Sequence, residues 1–282
     1  MEQWLTAWKF PLGEGMKVII EYLKTEAAGF FDAISITLEF LIEGITGLLL
    51  AFPAVVLIAL ITAFTQWLHR SWQLSLFVAL ALLFVVNLGY WKPTVETLAL
   101  VGSATLVSVV IGVPIGIAAA HRPWLYTILR PILDLMQTVP TFVYLIPTLV
   151  FFGLGVVPGL ISTVIFAIPA PIRLTHLGIS SVPGPLKEAG EAFGATRWQL
   201  LRKIEIPHAM PTIMAGVTQC IMLSLSMVVI AALVGADGLG KPVVRALNSV
   251  NVPMGFEAGT AIVILAIVLD RICKRPERKG SA

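Results

Sequence analysis

At 282 residues, with 57% hydrophobic side chains, 12% charged and a mean hydropathy of +0.92, the chain lies outside the composition of soluble globular proteins. A soluble fold of this size could not cover so much apolar surface with polar groups, whereas a bilayer solvates it, so soluble enzymes, disordered chains and disulfide-stapled secreted domains are excluded. The net charge of +3 is scattered without the dense basic stripe of a nucleic-acid binder, and Cys220 and Cys273 lack zinc-type spacing or the number for a disulfide framework.

Residues 1–24 mix Glu2, Lys9, Glu14, Lys17 and Glu21 with Trp4 and Trp8 and hold no apolar leader core, so no cleaved leader is expected. Residues 29–47 are apolar but carry Asp32, Glu39 and Glu43 on one face, with Phe30, Ile34, Leu38 and Leu41 on another, the pattern of an interfacial helix. A hydrocarbon core of about 30 Å needs roughly 20 apolar helical residues. By that measure 48–68, 72–90, 97–120 and 209–236 are spans, 134–173 is long enough for two broken at 153–159, and 258–269 is a short seventh.

Threading these alternately with the N-terminus outside puts Arg70, Arg122, Arg130, Arg173, Lys187, Arg197, Arg202, Lys203, Arg271 and the cations of 274–282 in the cytoplasm. The opposite threading leaves only Lys9, Lys17, Lys24, Lys92, Lys241 and Arg245 inside, so N-out and C-in is expected.

In the third span Gly112, Gly116 and Ala120 recur every four residues, a stripe that lets a second helix approach closely. In the fourth, Pro140 and Pro147 are about two turns apart, so two kinks share a face with polar Gln137, Thr138 and Thr141. With Phe142 and Tyr144 as aromatic contacts, this bent segment suits the wall of a pathway; a kinked helix satisfied by its neighbours is the alternative. Arg130 and Asp134, at i and i+4, suit a structural ion pair.

Residues 174–208 form a long, charged loop, and such a loop normally has a task. Gly184 caps a helix beginning at Pro185, Gly194 ends it, and Thr196 with Gln199 forms a capping box for a second. Phe193, Trp198, Leu201 and Ile204 supply apolar contacts while Lys187, Arg197, Arg202 and Lys203 remain wet; a basic amphipathic loop lying on anionic lipid is the bland alternative. Gly235 to Lys241 imitates a phosphate-binding loop but places Pro242 where a magnesium-binding hydroxyl belongs, so it reads as a turn. His69, His121, His176 and His208 have no metal-ligand pairing and read as interface residues.

Glu188-Ala-Gly190, Gly194 and Ile204-Glu-Ile-Pro207 resemble the cytoplasmic signature of ABC importer permeases, departing from it by Gly190 for alanine and Ile206 for leucine. Together with 131–140, 209–216, 225–230 and 255–259, they make the chain similar to permeases of the glycine betaine/proline/choline uptake systems. This resemblance implies an all-α polytopic membrane protein of about seven transmembrane helices. A MetI-like permease core would span 93–273 behind an N-terminal extracytoplasmic or interfacial segment (1–47) and two accessory helices (48–92), with a cytoplasmic tail at 274–282.

It further implies a bacterial inner-membrane homodimer, an extracytoplasmic solute-binding protein, and cytoplasmic ATPase subunits docked on the loop at Glu188, Ala189, Gly190, Gly194, Ile204, Ile206 and Pro207. No catalytic residue, metal or cofactor is expected in this chain, ATP and Mg being held by the partner ATPase. The expected solute is a quaternary ammonium compound such as choline, glycine betaine or proline betaine. Another small solute, such as an amino acid, is the alternative within the class, and a stand-alone channel or secondary carrier the one outside it. The latter ordinarily places ionisable residues within its spans, whereas five spans here are uncharged.

Overall fold

The computed structural model describes residues 11–274, which are almost wholly helical, with no strand among them. Met1–Phe10 and the tail cations Arg275, Arg278 and Lys279, which entered the expectations on leader and orientation, lie outside the described residues. Five helical segments are long and apolar enough to cross a bilayer, or six if one bent pair counts as a span.

The first is α2 (Ala28–Leu50), preceded by α1 (Leu12–Glu26). Helix α2 does not end at Gly47 but runs on to Leu50, and its 23 residues are long and apolar enough to cross a bilayer. Of the expected apolar face Ile34 and Leu38 turn inward, joined by Phe31 and Ile42 in place of Phe30 and Leu41, and Phe31 stacks on Phe151 at 4.5 Å between ring centres. Asp32, Glu39 and Glu43 are exposed.

The expected continuous span at 48–68 is broken at Ala51, Phe52 and Pro53, because Pro53 cannot donate to the preceding turn. Beyond the break, α3 (Ala54–His69) and α4 (Trp72–Asn87) form a hairpin of two 16-residue helices. At 1.5 Å per residue each reaches about 24 Å, short of a full hydrocarbon core. Ile58, Val78 and Leu82 join the hairpin to Val268 of α14 (Val252–Cys273), and His69 Nε2 lies 2.8 Å from Ile272 O. The short seventh span thus belongs to a 22-residue helix.

The centre is built from α5 (Trp91–His121), α8 (Val156–Ala167), α9 (Pro169–Ser180) and α12 (Ile206–Ala232). Helices α8 and α9 form one crossing unit, Val156–Ser180, so residues 174–180 are its last turns rather than the start of a loop. Its walls are small residues. A methyl group on Gly116 would fall 2.6 Å from Ile172 O, and one on Gly112 3.1 Å from Pro171 Cγ. On the other side, Gly178 faces Ala209 and Thr212, while Gly216 faces Leu174 and Pro171. In lipid, where apolar burial against other helices gains little, such close approach is what holds helices together.

The uncharged stretch in 134–173 breaks where expected, but the turn is short: Gly153 (φ +73) and Gly155 (φ +145) make it, and Gly155 N donates to Val234 O at 2.8 Å. Pro158 and Gly159 lie buried inside α8. Upstream, α6 (Pro123–Thr138) and α7 (Thr141–Phe152) meet at 97°, so Pro140 sits at a corner between helices and only Pro147 lies inside one. The expected Arg130–Asp134 pair is replaced by Asp134 with Arg173, 2.7 Å apart, because the corner sets α6 against α9.

The false phosphate loop is a turn leading to α13 (Gly240–Ser249): Gly235 and Gly238 have positive φ, Leu239 N donates to Thr97 Oγ1 at 2.8 Å, and Lys241 pairs with Asp237. Cys220 is buried, Cys273 half-buried, and both are free thiols.

Filling the α5–α9 contact should be more harmful than filling open space on the same helix. Gly116→Ala drives a methyl into backbone and is expected to cost about 1–3 kcal/mol by overpacking. Gly102→Ala, with nothing within 4 Å, should leave stability within about 0.5 kcal/mol or raise it slightly. Melting temperatures of the two variants in detergent check this.

Candidate functional site

Residues 181–205 project as a helical elbow between α9 and α12. Its first helix, α10 (Gly184–Ala192), starts after extended Pro183, with Pro185 in the first turn where its missing N–H is not needed. It ends on Gly194 at φ +76, where Gly194 N donates to Glu191 O and Ala195 N to Gly190 O, closing the last turn. The short α11 (Arg197–Leu200) then opens with the expected capping box: Thr196 N donates to Gln199 Oε1 at 2.8 Å and Gln199 N to Thr196 Oγ1 at 3.3 Å.

From α11 the chain passes through a π turn, Leu201–Glu205, directly into α12. Ile206 N donates five residues back to Leu201 O. A regular helix would press the Pro207 ring on the Lys203 carbonyl and leave a bond unmade, and the wider turn relieves this. The result is one helical run, Arg197–Ala232, of 36 residues. Its length of about 54 Å exceeds a 30 Å hydrocarbon core by about 24 Å.

Gly190 allows the two elbow helices to meet. A Cβ there would fall 2.5 Å from Ile204 Cδ1 and 2.6 Å from Leu200 Cδ2, so the departure from alanine in the signature matches the tighter crossing. Glu205 is 4% exposed and faces two partners, Lys187 Nζ at 3.2 Å and His121 Nε2 at 2.8 Å. One buried carboxylate thereby joins the end of α5, the first elbow helix and the root of α12. Lys187, expected to be wet, is drawn inward by it. The signal for Glu205 was present in the sequence as a lone acid between apolar Ile204 and Ile206.

Around this scaffold Glu188 and Ala189 are exposed, as are Pro207 and His208, while Ile204 and Ile206 are half-buried. Leu201 and Ile206 pack against a cluster of Ile179, Ala209 and Ile213, which connects the elbow to the helix core. Phe193 and Trp198, by contrast, are 93% and 66% exposed. Most of their apolar surface is free to meet a partner protein or a membrane face.

The other group of expected site residues gathers at the corner between α6 and α7. Tyr144 donates from its hydroxyl to Met136 O at 2.7 Å, bracing the corner by satisfying a carbonyl freed at the end of α6. Thr148 and Ser162, 2.8 Å apart, tie α7 to α8. Gln137 and Pro147 are half-buried, and Phe142 is 57% exposed. Gln137, Pro140, Phe142, Tyr144 and Pro147 are thus close along one bent segment, remote from the elbow signature in sequence. Among the described residues no cluster of three His, Cys, Asp or Glu side chains could hold a metal ion.

Removing the buried carboxylate leaves Lys187 and His121 without their shared acceptor, although both are exposed enough to rehydrate. Glu205→Ala is therefore expected to lower stability by about 1–3 kcal/mol, whereas Glu188→Ala, at an exposed position, should change it by less than about 0.5 kcal/mol. Thermal unfolding of the purified protein separates the two.

Known proteins share both the helix core and the elbow. Residues 112–274, which include α9, the elbow, α12 and α14, match the binding-protein-dependent transport system inner membrane component family. The chain is 47% identical over 264 residues to a glycine betaine transport system permease protein of Bacillus subtilis, covering 94% of this chain and 93% of that protein. A glycine betaine/carnitine transport permease protein of Listeria monocytogenes is 42% identical over 275 residues, covering 96% and 97%. In structure, a chain of the MetNI methionine ABC transporter in an inward-facing conformation superposes with a TM-score of 0.56 at 26% identity, over 64% of this chain and 94% of that one. With the matching helices, the elbow and these relatives in agreement, the chain belongs to the binding-protein-dependent transport system inner membrane components, the membrane-embedded permeases of ABC importers.

Proposed function

We propose that this chain is the permease subunit of an ATP-driven importer for a small quaternary ammonium solute of the glycine betaine type. The observation that carries the reading is the continuity of the elbow with α12, with Phe193 and Trp198 exposed at its tip. A cytoplasmic ATPase subunit docks there, on Glu188, Ala189, Gly190, Gly194, Ile204, Ile206 and Pro207 and the two aromatic rings. Its closure on ATP moves the elbow, and α12 carries the movement into the bundle. ATP and Mg are held by that partner; this chain contributes no catalytic group. Relatives named for glycine betaine and carnitine support the solute class, both being quaternary ammonium carboxylates.

The elbow faces the cytoplasm in this reading, supported by Arg197, Arg202 and Lys203 on it and by Arg122 and Arg271 at neighbouring helix ends. A second copy completes the pathway, and an extracytoplasmic binding protein delivers the solute. The corner at Gln137, Pro140, Phe142 and Pro147 lines the route. There the exposed ring of Phe142 offers a weak cation–π contact, worth about 0.5–1 kcal/mol at an exposed site, enough to guide a cation without holding it. Tyr144 keeps the corner in shape.

Because Phe193 and Trp198 contact little within the chain, their replacement should spare folding and remove docking. Phe193→Ala with Trp198→Ala is expected to keep the parent melting temperature within about 2 °C, to reduce co-purification of the ATPase at least tenfold and to abolish uptake of radiolabelled glycine betaine. Uptake that persists without the ATPase would contradict the reading in favour of a channel or carrier. Uptake of an amino acid that glycine betaine does not compete would replace the solute class.

A further inference from the structure

At the elbow end of the bundle, a cleft of about 1090 Å³ opens between the α3–α4 hairpin, the first turns of α12 and the end of α14. Its two walls differ in chemistry. Arg271 and Lys274 line the cleft from the end of α14, Leu74, Met210 and Met214 supply apolar lining, and polar Thr218 and Gln219 lie at its far end on α12. Lys274 is paired with Asp270 at 2.8 Å, while Arg271 pairs with no carboxylate among the described residues and is exposed. Arg70, next to His69, adds a further exposed cation at the rim. The potential at this end of the cleft is therefore positive and attracts an anion.

Depth distinguishes among anions. The cleft follows α12 from Pro207 to Gln219, twelve residues, or about 18 Å of helix. One leaflet of hydrocarbon is about 15 Å thick. A free phosphate would occupy only the rim and leave the apolar interior wet, whereas a molecule with an anionic head and an acyl chain matches both parts. Basic pockets between transmembrane helices are places where anionic headgroups bind. We propose that this cleft binds one anionic phospholipid, its phosphate at Arg271 and Lys274 and an acyl chain along Leu74, Met210 and Met214. The bound lipid fills the space between the hairpin and the base of α12. It therefore touches the same helix that carries the elbow, and its occupancy biases the position of that helix. The site depends only on these helix ends lying at a membrane face, and it stands whatever the transported solute.

The test uses the detergent-purified transporter complex, stripped of lipid and titrated with phosphatidylglycerol or phosphatidylcholine, with retained lipid read by native mass spectrometry. Phosphatidylglycerol should be retained at one per permease chain in preference to phosphatidylcholine. Arg271→Gln with Lys274→Gln should weaken its retention about thirtyfold, at about 1 kcal/mol for each cation removed. Ala215→Trp, at an exposed position on the cleft wall, should also eject it with both cations intact, while Arg271→Lys should keep it. Equal retention of the two lipids, retention unaffected by both the double substitution and the tryptophan, or displacement of phosphatidylglycerol by millimolar inorganic phosphate would each overturn the proposal.

Discussion

Helix α9 lies so close to α5 on one side and α12 on the other that a methyl group would be crowded at four of the contact positions, most of all at Gly116. Gly112 and Gly116 on α5, Gly178 on α9 itself and Gly216 on α12 each leave room for only a neighbour's backbone or side-chain stem. In a membrane the hydrophobic effect does not drive helix against helix, so dispersion at close range and interhelical hydrogen bonds must do so. Close packing of this kind is also stiff, since interlocked helices have few intermediate arrangements. The three helices consequently behave as one body, and whatever displaces α12 displaces its neighbours.

The elbow is joined to that body by covalent continuity and by a polar clasp. The π turn at Leu201–Glu205 lets Pro207 enter the helical run, so the projecting end and the membrane portion are one helix, which also holds Pro211. Glu205, held between Lys187 and His121, then fixes the first elbow helix and the end of α5 to the same root. A push on the exposed tip is carried along one helix and across a buried carboxylate that bridges two further elements. The hairpin of α3 and α4, by contrast, touches the body mainly through α14 and leaves an open cleft beside the base of α12. Stiffness and looseness are thus distributed unevenly, with the stiff parts where force enters.

Composition and span length were sufficient to read the fold class, and the elbow's two helices were legible because caps are local: Thr196 with Gln199 and Gly194 act within one turn. The glycine stripe on α5 was legible for the same reason, since four-residue spacing alone puts small residues on one face. What escaped depended on partners distant in the chain. Asp134 pairs with Arg173 rather than Arg130 because the 97° corner brings α6 against α9, and no local rule records that corner's angle. Lys187 turns inward only because Glu205, eighteen positions away, arrives beneath it. The acidic residues of α2 suggested an interfacial helix, yet they occupy an exposed face of a helix long enough to cross. Pro207 pointed to a boundary between elbow and span, where the widened turn instead makes them continuous.

That continuity can be measured directly. Spin labels at Arg197 and Leu233, at the two ends of the run through α11 and α12, report its length and straightness in the complete transporter by pulsed electron resonance, with Cys273→Ser removing the accessible native thiol. A stiff lever predicts one narrow distance distribution that is the same, within about 2 Å, in nucleotide-free and ATP-bound states. A second distance that appears or grows on ATP binding would place a hinge at Pro207 and contradict transmission through an unbroken helix.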